Sequence, residues 1–245
     1  MNQISFGTQI VFLCVGKYQS DGIPFFLAEV FGKTVIQCWI EKAEKLSPDC
    51  QMHFVVESQS HVQIIEAILN KLSISENYFF HIIPRSVCGS AASALFIVSQ
   101  LPSEADLFIV STNELINLDL NQLRNRLRLT KPDAGILLFK SFQPKYSYVQ
   151  LEDGAVIGVF QYKVVSEYAT TGLFYFSSCK KFVEYASKMI LKGEAINNKF
   201  YVAVTLNEAI LEGGVIGYEL IDARDYMPLK SDKDMFFALS SSSSK

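Results

Sequence analysis

The chain has 245 residues, 49% of them hydrophobic, which is enough apolar material for a sizeable α/β core. Its net charge of −3 and pI near 5.7 exclude a general nucleic-acid-binding surface, because that needs concentrated basic charge. Cys14, Cys38, Cys50, Cys88 and Cys179 are widely spaced without a CxxC pair, and His53, His61 and His81 are too scattered for metal-ligand spacing. The cysteines read as small core residues in a reducing compartment, and His53 and His81, inside strand-like runs, as core or edge histidines.

The opening residues, MNQISFGTQIVFLCVG, lack a basic leader and carry an apolar run too short to span a bilayer, so a cytoplasmic protein with no membrane partner is expected. Residues 9 to 16 form a continuous apolar run ending at Gly16, the pattern of a strand buried on both faces. After a long loop, Thr34 is placed to cap a helix carrying Val35, Ile36, Trp39, Ile40, Ala43 and Leu46 at helical spacing. Met52 to Ser58 is the next strand, and Ser60 opens a helix with Val62, Ile65, Ile68, Leu69 and Leu72 on its stripe. Tyr78 to Ile83 is a third strand, Ser90 to Leu101 a helix, and Asp106 to Thr112 a fourth strand.

Helix 118 to 129 bears Arg124, Arg126 and Arg128 on what reads as a solvated face. The alternation of strand and helix implies a mostly parallel sheet between helices, with a ligand cleft at the carboxyl ends of its strands. Residues 14 to 24, 85 to 90 and 111 to 117 should converge there.

Residues 133 to 178 change character. An apolar strand at 136 to 140 precedes two alternating strands joined by Asp153-Gly154, a pair suited to the positive φ of a tight hairpin. Tyr168 to Phe176 is an aromatic strand in which Thr170, Thr171 and Gly172 are small and polar. Ser177 or Ser178 then caps a helix stopped by Gly193, a second helix spans about 200 to 212, and Val215 to Ile221 is a strand. A short helix at 234 to 239 and a disordered serine tail at 240 to 245 complete the expectation, with 1 to 239 as a single domain.

Several separated stretches resemble the sugar nucleotidyltransferase superfamily, the GT-A-like enzymes that join a nucleoside triphosphate to a sugar 1-phosphate in surface-polysaccharide synthesis. They are Gly89 to Leu95, Asp106 to Glu114, Pro144 to Val149, Ala169 to Phe176, and Phe200 to Val204 with Asn207 and Glu208. The resemblance implies a three-layer α/β fold with a mostly parallel sheet and an added antiparallel hairpin region on the sugar side. It places Gly16, Gly89 and Ser90 at a nucleotide, and Lys145, Tyr148, Gln161, Thr170, Gly172, Asn207 and Glu208 at a sugar. A Mg²⁺ cofactor, if the chain is active, would fall to Asn113 and Glu114, with Lys17 and Lys163 as catalytic cations.

The chain departs from that pattern where the chemistry is most demanding. The first loop lacks the family's close glycine pair and arginine, and Phe25 stands where a phosphate-binding lysine belongs. The two metal-binding aspartates fall on Asn113 and near Pro228, and the Glu-Lys pair that holds the sugar falls on Gln161-Tyr162. Phosphoryl transfer depends on neutralising charge. The expectation is therefore a degenerate member that binds a nucleotide sugar or sugar phosphate, partnering an active paralogue or another glycan-pathway enzyme. An active nucleotidyltransferase or GT-A glycosyltransferase with atypical metal ligands is the alternative. An apolar patch at Phe25 and Phe26 would favour a purely structural partner.

Overall fold

The computed structural model describes residues 7–16, 18–84 and 87–242. β1 (Thr8–Leu13) is buried along its whole length. The long loop after it contains a 3₁₀ turn at Phe25–Leu27 and a small hairpin of β2 (Glu29–Val30) and β3 (Lys33–Thr34), neither legible as periodicity. Thr34 caps α1 (Val35–Ala43), its hydroxyl accepting from the Gln37 N–H at 3.2 Å. β4 (Cys50–Val56) leads into α2 (Gln59–Lys71), which is capped by Ser58 and not opened by Ser60.

β5 (Tyr78–Ile82), α3 (Ser90–Val98) and β6 (Asp106–Ser111) continue the alternation, with α3 stopping short of the expected Leu101. Short β7 (Glu114–Ile116) and α4 (Leu120–Leu129) precede β8 (Ala134–Lys140). The hairpin of β9 (Ser147–Glu152) and β10 (Ala155–Gln161) turns at Asp153 and Gly154, whose φ angles are 49° and 78°. β11 (Tyr168–Phe176) spans the aromatic stretch. Then come α5 (Cys179–Leu191), α6 (Val202–Leu211), β12 (Ile216–Leu220), β13 (Tyr226–Pro228) and α7 (Asp232–Ser242). The expected serine tail is thus partly helical: α7 starts at Asp232, whose acidic first turn suits the helix dipole, and runs through the first serines.

In the main sheet β5, β4, β1 and β6 pair in parallel. β11 lies antiparallel between β6 and β8, and β12 adds to β8 in parallel, so only β11 runs against its neighbours across this span. The β9–β10 hairpin joins the start of β11 through Ala169 and Tyr148. One sheet face packs on α1, α2, α4 and α7 through residues such as Trp39, Ile65, Leu123 and Met235. The other packs on α3, α5 and α6 through Ala94, Phe182 and Leu206. Central strands covered on both faces explain their unbroken apolar runs.

Arg126 and Arg128 are exposed, as a solvated helix face requires, but their charges are not free. The arginines of α4 are tied into the fold: Arg124 donates to Thr8, Arg126 forks onto Glu219 with two 2.8 Å bonds, and Arg128 pairs with Asp106. Long guanidinium stems reach over α4 to the strands beneath it, which a helical wheel does not show. The histidines at 53 and 81 are, as expected, strand histidines. His53 Nε2 lies 2.8 Å from Gln9 Oε1 and its Nδ1 3.1 Å from His81 Nε2. Cys14, Cys50 and Cys179 are buried, and no disulfide joins them or Cys38. Among the described residues, no helix is long and apolar enough to cross a membrane.

Candidate ligand-binding cleft

The carboxyl ends of β1, β4 and β6 open onto a cleft of about 500 Å³. Val15, Gly16 and Tyr18 form one wall, Pro84, Gly89 and Ser90 a second, and Ser111, Thr112 and Asn113 the floor. The three loops expected from the strand pattern therefore meet, as the chain reversal at a parallel sheet edge requires. The hairpin region closes the other side with Lys145, Tyr146, Ser147, Gln161 and Tyr162, and β11 contributes Thr170, Thr171 and Gly172.

Gly89 and Gly172 are fixed by packing. A Cβ on Gly89 would stand 2.4 Å from the Phe200 carbonyl oxygen, and φ there is +94°. The close approach lets Phe200 N–H donate to Cys88 O and lets Ser90 Oγ accept from Val202 N–H, docking the start of α6 beside α3. A Cβ on Gly172 would meet Ser111 Cβ at 2.5 Å. Its amide instead donates to Glu114 Oε1.

Glu114 is fully buried, and both of its carboxylate oxygens are engaged. Oε2 accepts from the Tyr226 hydroxyl at 2.9 Å and pairs with Lys230 Nζ at 3.1 Å, while its carbonyl accepts from Trp39 Nε1 at 2.8 Å. Burial first, and then the Glu114 carboxylate, raises the Tyr226 hydroxyl well above the usual phenol range, so it stays a donor. β7 and β13 pair so that Glu114 faces Pro228, and Leu229 N–H donates to Asn113 O at 2.9 Å. The two positions to which the resemblance assigns metal ligands are therefore adjacent.

Their donors do not fit Mg²⁺. Mg²⁺ demands near-octahedral oxygen ligation, usually anchored by carboxylate. Asn113 offers one neutral amide oxygen, the Pro228 side chain none, and Glu114 is fully buried with both oxygens engaged by an amide, a phenol and an ammonium. Glu57, the other carboxylate at this end, accepts from Gly16 N–H and from the Tyr18 hydroxyl. Among the described residues, no group of three or more His, Cys, Asp or Glu is placed to hold a metal. The expectation that Glu114 stands in for a lost aspartate is thus corrected: its side chain turns into the β7–β13–β11 junction.

The arginine and lysine missing from the first loop do not leave the cleft without cations. Lys145, Lys199 and Lys230 all line it. Lys145 pairs with Asp234 at 2.8 Å, and the same carboxylate accepts from Lys230 N–H at 3.1 Å, so the start of α7 braces both lysines. Lys145 and Lys230 both lie over the Tyr146 ring, at 5.3 and 5.1 Å from its centre. Lys17 lies outside the described residues. Lys163 sits over the Phe160 ring, away from the cleft wall.

Of the proposed sugar contacts, Lys145, Gln161, Thr170 and Gly172 are in the wall, and Gln161 accepts from the Ser147 hydroxyl. Three are not. Tyr148 is buried and donates to Gln143 O at 2.7 Å. Asn207 clamps the Val159 backbone at 2.8 and 2.9 Å, and buried Glu208 pairs with Lys192 at 2.7 Å. These hold the hairpin and α6 in place. At the cleft mouth, Tyr162 (φ 60°) and Tyr201 meet hydroxyl to hydroxyl at 3.1 Å. Phe25 and Phe26 are core residues, although Phe26 also reaches the wall.

Sequence reasoning missed Glu57, Tyr201 and Lys230. Glu57 follows β4 directly, and the rule that led to the other strand ends would have found it. Lys230 gave no signal because β13 is too short to have a period.

No protein-family model matches the chain, and no curated protein does. Solved structures do. A nucleoside-diphosphate-sugar pyrophosphorylase from Vibrio cholerae RC9 superposes with a TM-score of 0.76 at 16% identity, covering 94% of this chain and 99% of that one. A protein from Bacillus anthracis, described as a candidate glucose-1-phosphate thymidylyltransferase and crystallised with sucrose, gives 0.78 at 13% identity over 96% and 95%. A UDP-glucose pyrophosphorylase complexed with UDP-glucose gives 0.73 at 14% identity over 96% and 98%. The chain has the α/β, GT-A-like fold of the sugar nucleotidyltransferases, at identities that show the fold alone.

Proposed function

We propose that the chain is a nucleotide-sugar or sugar-phosphate binding protein built on a sugar-nucleotidyltransferase fold, with little or no transferase activity, acting in glycan biosynthesis beside an active enzyme. The observation that carries this reading is the sealed state of Glu114. In-line attack of a sugar phosphate on a nucleoside triphosphate needs divalent cations bridging the phosphates. Glu114, the carboxylate next to Asn113, is buried under Gly172, Tyr226 and Lys230. The cleft itself argues for a ligand. It is large enough for a sugar nucleotide, it carries hydroxyl and amide groups on Thr170, Thr171 and Gln161, and Lys145, Lys199 and Lys230 on its wall favour an anion.

The test is calorimetry and thermal shift against nucleoside triphosphates, nucleoside diphosphate sugars and sugar 1-phosphates. Saturable binding of at least one phosphorylated sugar or nucleotide sugar is expected. If none binds, the reading fails.

A further inference from the structure

We propose that the Lys230 ammonium takes the place of a divalent metal, so that the cleft holds the phosphate or diphosphate of its ligand without metal. The proposal rests on the binding reading above and assigns a role that reading leaves open. Lys230 lies two residues after the end of β13 at Pro228, the position near which the second metal ligand would fall. Its side chain is 17% exposed and lines the cleft, with Nζ 3.1 Å from Glu114 Oε2. An ammonium has three N–H donors, and among the described residues Glu114 is the one carboxylate paired with it, with the Tyr146 ring beneath it at 5.1 Å.

The position is also pre-organised. Leu229 N–H is held by Asn113 O and Lys230 N–H by Asp234, so the backbone that carries the charge is fixed from both sides. Fixed charge aimed at a ligand is where electrostatic stabilisation is strongest. Two of the carboxylates near the cleft are charge-paired, Glu114 with Lys230 and Asp234 with Lys145, and Glu57 is held to the wall by Gly16 and Tyr18. Among the described residues, Asn113 Oδ1 is buried with no hydrogen-bond partner. A lone neutral oxygen beside a fixed ammonium suits a ligand hydroxyl or N–H better than a dication, which that ammonium repels.

The experiment titrates inorganic pyrophosphate and a panel of nucleoside diphosphate sugars into the full chain, once in EDTA and once in Mg²⁺, and titrates Mg²⁺ alone. The proposal predicts the same affinity within about twofold in both buffers, and no saturable response to Mg²⁺ alone. Two variants separate charge from folding. Glu114→Gln leaves the ammonium unmasked and should keep or tighten binding. The double variant Glu114→Gln with Lys230→Met keeps the buried site neutral and should weaken binding about 10- to 100-fold, the range for a lost charged hydrogen bond. Binding that requires Mg²⁺, or a double variant that binds like Glu114→Gln, overturns the proposal while leaving the binding reading intact. Absence of binding by every probe overturns both.

Discussion

Replacing Lys230 by methionine isolates the ion pair on which the cleft floor is built. Glu114 has no exposed surface, and among the described residues Lys230 supplies the one positive charge paired with its carboxylate. Removing one partner of a buried pair typically costs about 3–5 kcal/mol, because the remaining charge is stranded. Here Gly172 N–H and the Tyr226 hydroxyl still donate to that carboxylate, so the lower end, about 3 kcal/mol, is expected. With a urea m value of about 3 kcal/mol/M, the unfolding midpoint should fall by about 1 M. Adding Glu114→Gln removes the stranded charge while retaining an oxygen for Gly172 N–H, and should recover at least half of the loss. The assay is urea unfolding followed by far-UV circular dichroism in all four members of the double-mutant cycle. A midpoint change below about 0.3 M in Lys230→Met, or a double variant no more stable than that single one, would refute the reasoning.

Gly172→Ala should destabilise by about 1–3 kcal/mol, since its Cβ would press on Ser111 Cβ, and Ser111→Gly should restore part of it; thermal unfolding of the three variants decides. Asn113→Asp alone should yield neither pyrophosphate release nor Mg²⁺ binding, because Glu114 stays sealed and Pro228 supplies no ligand; measurable turnover in that variant would refute this. Acid should weaken the fold through His53, which burial, and then the neighbouring His81, depress from 6.5 to about 3. The unfolded chain therefore binds the proton first, and stability present above pH 6.5 is lost as pH falls towards 3, by about 2 kcal/mol at pH 5. Burial depresses His81 too, which acts in the same direction. Replacing His53 by phenylalanine should flatten the dependence of the urea midpoint on pH between 5 and 7, and an unchanged slope would contradict the assignment.

The parallel half of the fold was legible because its strands are buried on both faces and its helices on one. The runs 9 to 16 and 106 to 112 carry that signal, and so do the α1 residues Val35, Ile36, Trp39 and Ile40. The hairpin was legible for a different reason, since Asp153-Gly154 names its own turn. The cleft could be located from strand ends, but its chemistry could not. The sealing of Glu114 depends on Tyr226 and Lys230, more than a hundred positions away, brought beside it by a three-residue strand with no periodicity. Asn207 and Glu208 matched a family pattern yet serve the backbone of β10 and the end of α5, which only packing reveals.

The most direct test of binding without transfer is pyrophosphate release from nucleoside triphosphates mixed with sugar 1-phosphates and Mg²⁺, followed with the full chain at micromolar concentration. The sealed Glu114 predicts release no faster than in the protein-free control. Stoichiometric or catalytic release with any triphosphate and sugar phosphate pair would contradict it.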